Sequence, residues 1–181
     1  MKPPIKKPQV VKPTQCECGD HAWAPLTRGF VTLVSPEDID LLRVKWHAHH
    51  AGTRFYAFRT IHVVGSWRPG VTSKRIVEYL HRAIYPANIV DHKNRDSLDN
   101  RRSNLRRATK SQNGANAKKR IDGATSKYKG VSWDKSRGRW VAQVRGDIRG
   151  RFDTEEAAAR AYDAGAVELY GEFARRNFDA L

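Results

Sequence analysis

Cysteine is nearly absent: the 181 residues contain two, Cys16 and Cys18, and one intervening residue places them too close to staple a fold. A disulfide scaffold is therefore excluded. Long apolar runs are missing as well. None approaches the roughly 20 residues of a membrane-spanning helix, and the first stretch, MKPPIKKPQVVKPTQ, lacks the apolar segment of a secretory signal. A cytoplasmic protein with no membrane partner is expected. Acidic residues are scarce too: 19 Asp and Glu stand against 34 Lys and Arg, for a formal net charge of +15. That imbalance favours a polyanionic partner, with nucleic acid first among them.

Chain length allows one ordinary domain or two small ones. The positive charge is concentrated between Lys74 and Arg120, with thirteen Lys or Arg against four Asp or Glu, whereas Gly123 to Leu181 has eleven against nine. Met1 to about Gln15 alternates proline with lysine and reads as a basic tail with little to bury. Cys16-x-Cys18-x-x-His21 offers three zinc ligands where a structural site wants four. Two reduced thiols in a surface-near turn are expected there, and structural zinc is not.

From Trp23 onward a small α+β platform is predicted. Gly29 to Val34 has strand composition, and Ser35-Pro36-Glu37-Asp38 has the signature of a helix start, with Ser35 as cap and the helix reaching about Lys45. Phe55 to Val64 reads as strand, and Ile76 to Tyr85, carrying His81, as strand or short helix. His47, His49 and His50 have no carboxylate or cysteine beside them, so an exposed turn is expected rather than a metal site.

Phosphodiester hydrolysis needs a base to prepare water, a cation to neutralise the phosphoryl and leaving oxygens, and rigid placement of both. Asp91 offers a hard oxygen ligand, and Asn113 a second through its amide. Adjacent residues of a strand point to opposite faces, so His92 cannot share the metal of Asp91 and is free to act as the base. Asn104 sits in the intervening segment, where an amide can brace the loop. A helix over Lys110 to Lys119, capped by Thr109, would close a strand, loop, strand, helix unit.

The stretch Val90 to Asn113, VDHKNRDSLDNRRSNLRRATKSQN, resembles the ββα-metal motif of phage and intron HNH homing endonucleases, in the variant that ends in Asn. The resemblance implies general-base catalysis by His92, a loop braced by Asn104, and one Mg²⁺ or Mn²⁺ on Asp91 and Asn113. Duplex DNA is the implied substrate, and a bacterial or phage-infected cell the implied setting. His81 is a possible accessory residue, for packing or phosphate contact. Arg101, Arg102, Arg106 and Arg107 flank the motif and are expected to hold phosphates. The sequence departs from the family at Lys93, Arg95 and Arg107. If position 95 requires positive φ, its turn is strained by arginine.

Beyond a boundary near Gly123 to Ser126, three short strands are predicted over 130–133, 139–145 and 150–152. A helix follows from Ala157 to Tyr170, capped by Thr154 and ended by Gly171, with Ala158, Ala161, Tyr162, Gly165 and Leu169 near one face. Tyr128-Lys-Gly-Val-Ser-Trp133, Arg139 to Arg145 and Gly150 to Asp163 are similar to the Apetala-two, or ethylene-response-factor, DNA-binding domain. That family lays its sheet in the major groove, which places Lys129, Trp133, Arg139, Gln143 and Arg145 toward DNA and Trp140 in the core.

The expected protein is thus α+β in four segments. They are a basic tail with the Cys-x-Cys segment (1–22), an N-terminal platform (23–73), the HNH motif (74–122) and a three-stranded antiparallel sheet with one helix (123–181). Its expected function is metal-dependent cleavage of duplex DNA, without an evident obligate protein partner. One rival is a non-cleaving DNA-binding regulator built on the same domains. The other is an RNA-directed protein, disfavoured because the A-form major groove is too narrow to read.

Overall fold

A computed structural model describes residues 12–63, 74–119 and 123–178. The fold is α+β, and the chain divides into two compact units, Met1–Arg107 and Ala108–Leu181. Neither the 73/74 nor the 122/123 border coincides with that division. The reason is visible in the strand pairing and core of the first unit.

That unit begins with β1 (Thr14–Gln15), β2 (Ala22–Pro25) and β3 (Val31–Val34), joined antiparallel in sequence order. Thr14 and Gln15, expected in the tail, pair instead with Trp23 and Ala22. A hairpin follows, β4 (His47–Ala51) and β5 (Arg54–Val63), extended by β6 (Lys74–Tyr79). His47, His49 and His50 therefore lie on a strand, not in a turn, and the rings of His47 and His49 pack on Phe58. After β6 comes one helical turn, α1 (Leu80–Ile84), so both alternatives for 76–85 are realised in succession. The unit closes with β7 (Val90–His92), β8 (Asp99–Asn100) and β9 (Leu105–Arg107). β7 and β9 form their own antiparallel pair, while β8 adds in parallel to β3, joining the platform to the motif. One core serves both, from Ala22, Val34, Leu42 and Trp46 to Leu80, Ile84 and Leu105. A separate platform domain would have to cut through that core.

The segment Pro36–Arg43 forms a 3₁₀ helix rather than the expected α-helix to Lys45. Ser35 does not cap it; its hydroxyl accepts from the Arg102 amide at 2.9 Å. Tertiary hydrogen bonding has outcompeted the local cap.

The second unit holds α2 (Lys110–Asn116), β10 (Val131–Asp134), β11 (Arg139–Val144), β12 (Asp147–Phe152) and α3 (Glu155–Tyr170). Thr109 and Gln112 form a reciprocal capping box on α2, satisfying two of the helix's otherwise orphaned donors. β10, β11 and β12 make one antiparallel sheet. Its inner face contributes Val131, Ala142 and Val144 to a core with Ala158, Ala159, Tyr162 and Ala166 of α3. Alanine supplies helix propensity without bulk, so α3 can approach the sheet closely. Leu169, expected on the packed face, is 41% exposed; Ala166 lies inward instead. Asp163 fastens the segment after α3 by accepting from the Asn177 and Phe178 amides at 2.7 and 3.0 Å.

Candidate functional site

His92 ends β7 and is 4% exposed. Its Nε2 lies 3.1 Å from Asn100 Oδ1. Asn100, wholly buried on β8, donates through Nδ2 to Thr32 Oγ1 at 2.8 Å and to the Leu98 carbonyl at 3.3 Å. The Thr32 hydroxyl is itself spent on that carbonyl, at 2.9 Å, and so must accept from Asn100. With both acceptors taking amide protons, Oδ1 is the atom that faces the imidazole. Nε2 then carries the ring proton and Nδ1 is the basic atom. This orienting role of Asn100 escaped the sequence reasoning; the one available signal was an asparagine in the loop within reach of His92.

Asn104 lies in the loop between β8 and β9. Its Oδ1 accepts from the Asn94 amide at 2.9 Å and its Nδ2 donates to the Asp99 carbonyl at 2.7 Å. Asp99 accepts from Asn94 Nδ2 at 2.8 Å and from Arg101 Nε and Nη2 at 2.8 and 2.7 Å. Side chains thus satisfy this loop in place of a long ladder. Within its turn Arg95 has φ 68°, the left-handed region that costs a non-glycine residue roughly 1–2 kcal/mol. Replacing it by glycine removes that strain at some cost in unfolded-chain entropy. Arg95→Gly is expected to stabilise the first unit by about 0.5 kcal/mol, raising the midpoint by roughly 3 °C in a calorimetric scan.

Asp91 is 2% exposed and lies directly across from Arg106. Arg106 Nε and Nη2 approach its Oδ2 at 2.9 and 2.8 Å. Arg106, expected among the phosphate-holding arginines, is thus buried against the carboxylate. Arg101 is engaged by Asp99, and Arg102 donates to both Asp38 oxygens at 2.7 Å. Arg107 is exposed, with no ion pair among the described residues. Asn113 lies on α2 in the second unit, where its amide donates to the Thr109 carbonyl at 3.0 Å.

His81 is buried, its ring 5.3 Å from that of His92 and 5.7 Å from Tyr56. It packs edge to face on His92. Burial, then the neighbouring His92 and Arg82, push its pKa down to about 3. Burial also lowers that of His92, partly opposed by the Asn100 hydrogen bond and Asp91. Both imidazoles are neutral at neutral pH. In the unfolded chain His81 titrates near 6.5, so as pH falls below that value the unfolded state takes a proton the folded state refuses. The His81 contribution to stability is complete above about pH 6.5 and declines by about 1.4 kcal/mol per pH unit toward pH 3. Urea titrations between pH 7 and 4.5 are expected to show this slope, and His81→Gln to make it shallower.

The candidate DNA-facing residues of the second unit separate into three groups. Arg139 and Gln143 project from the outer sheet face and are exposed. Arg145 is not on a strand: β11 ends at Val144, and Arg145 (φ 54°) with Gly146 (φ 99°) makes the two-residue turn into β12. Trp133 lies opposite Trp140 in register, on the helix-facing side with Val131 and Ala142, the two indoles edge to face at 5.0 Å. Period-2 alternation puts it on the face away from Arg139. Trp133 nonetheless stays 37% exposed, whereas Lys129 is turned inward, its Nζ donating to the carbonyls of Gly114, Ala115 and Ala117 at the end of α2. A cation there completes orphaned helix carbonyls.

Cys16, Cys18 and His21 come together at the β1–β2 hairpin, their ligand atoms within 4.8 Å of one another.

Residues 75–115 match the family model described as HNH endonuclease. The chain is 37% identical over 110 residues to Uncharacterized HNH endonuclease L560 of Acanthamoeba polyphaga mimivirus, covering 54% of this chain and 56% of that protein. It is also 44% identical over 62 residues to dehydration-responsive element-binding protein 2D of Arabidopsis thaliana, covering 31% of this chain and 30% of that protein. To the ethylene-responsive transcription factor WRI1 of the same plant it is 35% identical over 85 residues, 41% of this chain and 20% of that protein. The chain thus spans about half the length of the viral relative and a third or less of the plant ones. It combines an HNH endonuclease motif with a segment like the Apetala-two, or ethylene-response-factor, domain.

Proposed function

We propose that this protein is a divalent-metal-dependent endonuclease that hydrolyses phosphodiester bonds in duplex DNA. The observation that carries the reading is the buried chain Thr32, Asn100, His92, which presents a neutral imidazole of defined tautomer inside the matched HNH stretch.

His92 Nδ1 takes a proton from water as the water attacks phosphorus and the bond to the departing 3′ oxygen breaks, that oxygen being protonated from solvent, while Asn100 Oδ1 holds the Nε2 proton as positive charge develops on the ring. Depressed basicity keeps His92 unprotonated at neutral pH and ready for that transfer. Asp91 in the first unit and Asn113 in the second each offer a hard oxygen donor of the kind that suits a magnesium-class ion, Mg²⁺ or Mn²⁺. When bound, such an ion supplies charge neutralisation at the phosphoryl and leaving oxygens. Arg106 is placed to balance Asp91 and hold its carboxylate in orientation. Arg107, Arg139, Gln143 and Arg145 are exposed and serve the proposed DNA contacts.

Supercoiled plasmid incubated with Mg²⁺ or Mn²⁺ at low salt is the test. Open circles or linear DNA are expected from the wild type, and at least a 100-fold slower conversion from His92→Ala. One observation favours the non-cleaving regulator: Arg106 occupies Asp91 Oδ2. Tight duplex binding without conversion by either protein, on DNA that carries the bound sequence, would establish that alternative.

A further inference from the structure

The spacing Cys-x-Cys-x-x-His does not by itself prescribe a metal site, but the hairpin that carries it does more than the spacing. The Cys16 amide donates to the His21 carbonyl at 2.8 Å, and the Gly19 amide to the Cys16 carbonyl at 2.9 Å, so the chain reverses tightly between the two ends. Gly19 takes φ 77°, which only glycine adopts at no steric cost. The reversal turns both thiols and the imidazole to one side. Cys18 Sγ lies 3.7 Å from His21 Nδ1, and the Cys18 amide points at Cys16 Sγ from 3.4 Å. Among the described residues, no other group of three or more His, Cys, Asp or Glu has its ligand atoms gathered in this way.

Bond lengths decide whether the cluster fits an ion. With Zn–S near 2.3 Å and Zn–N near 2.0–2.1 Å at tetrahedral angles, sulfur and nitrogen ligands sit about 3.6 Å apart and two sulfurs about 3.8 Å apart. The observed 3.7 Å between Cys18 and His21 is at the first value. The widest separation, within 4.8 Å, exceeds the second by no more than about 1 Å, which side-chain rotation can close.

We propose that Cys16, Cys18 and His21 form a binding site for one zinc-class cation. Three protein ligands hold it, and the fourth position is open to water or an external donor. Sulfur and imidazole ligands select a borderline-soft ion over Mg²⁺ or Ca²⁺, so this site is chemically distinct from the oxygen donors of the HNH motif. The hairpin it would clamp is otherwise secured by a two-residue strand, β1, at the edge of the sheet whose other edge is β8. Metal binding would therefore order the approach to that sheet rather than take part in hydrolysis.

The reduced full chain titrated with Co²⁺ tests this directly, because thiolate-to-cobalt charge transfer reports sulfur ligation and oxygen sites are silent in that band. The band is expected to saturate at one equivalent per chain and to be bleached by Zn²⁺. It should persist in Asp91→Asn, weaken at least tenfold in affinity in His21→Ala and vanish in Cys16→Ser/Cys18→Ser. Circular dichroism of the metal-free double variant, unchanged from metal-free wild type, would show that loss of the band is not loss of fold. Absence of the band in the wild type overturns the proposal. So does saturation at half an equivalent, which would place the ion between two copies of the chain, or an undiminished band in the double variant.

Discussion

Asn100→Ala is expected to slow plasmid conversion about 100-fold while leaving duplex affinity within a few-fold, because the side chain is buried and would reach the reaction only by way of His92. Without Oδ1 the imidazole loses both its tautomer preference and its orientation, and Nδ1 no longer holds the basic position for most of the time. A merely structural role would be read as lost stability with an unchanged pH profile. Asn100→Asp separates the two. A carboxylate at the same place keeps the geometry, and it favours the protonated imidazole. The acidic limb of the rate profile should therefore move to higher pH, with activity recovering at alkaline pH. An Asn100→Ala rate within threefold of wild type, or an Asn100→Asp profile that does not move, would remove Asn100 from the mechanism.

Gly130→Ala is expected to cost about 3 kcal/mol and to unfold the second unit selectively under mild denaturant. Gly130 has φ 70°, and a Cβ there would stand 1.9 Å from the Tyr162 ring and 2.8 Å from the Gln143 carbonyl oxygen. The ring cannot retreat readily, since Tyr162 lies in the core between α3 and the sheet. Two penalties add: a left-handed backbone with a side chain, and overpacking against a buried aromatic. Hydrogen exchange should show lost protection in β10, β11 and β12 with β7 and β9 unaffected. Equal protection in both units, or a loss under 1 kcal/mol, would show that the core accommodates the methyl group. Duplex affinity should fall together with that protection if the sheet contributes to binding.

Residues in contact along the sequence were the legible ones. The Thr109 cap and the end of α3 at Gly171 are local, decided within four or five residues. The positive φ of Arg95 was only a condition in the sequence, raised by the family resemblance, and the structure shows it at 68°.

What sequence reasoning could not supply were the partners brought from far along the chain. Ser35 meets the Arg102 amide across 67 positions, and Asn100 meets Thr32 across 68. Asp38 claims Arg102, and Asp91 claims Arg106. A basic residue read by itself looks like a phosphate contact, because charge is visible in sequence and the carboxylate that neutralises it is not. Lys129 turned inward for a similar reason: the α2 carbonyls that take its ammonium are invisible in its own stretch of sequence. The sequence by itself determined the chemistry available, a histidine base, hard oxygen donors and a basic surface, because residue type and near spacing settle those. Only the tertiary structure decided which nitrogen of His92 is basic, which arginines remain exposed and which thiols meet an imidazole, because each depends on a hydrogen bond or approach that chain folding alone creates.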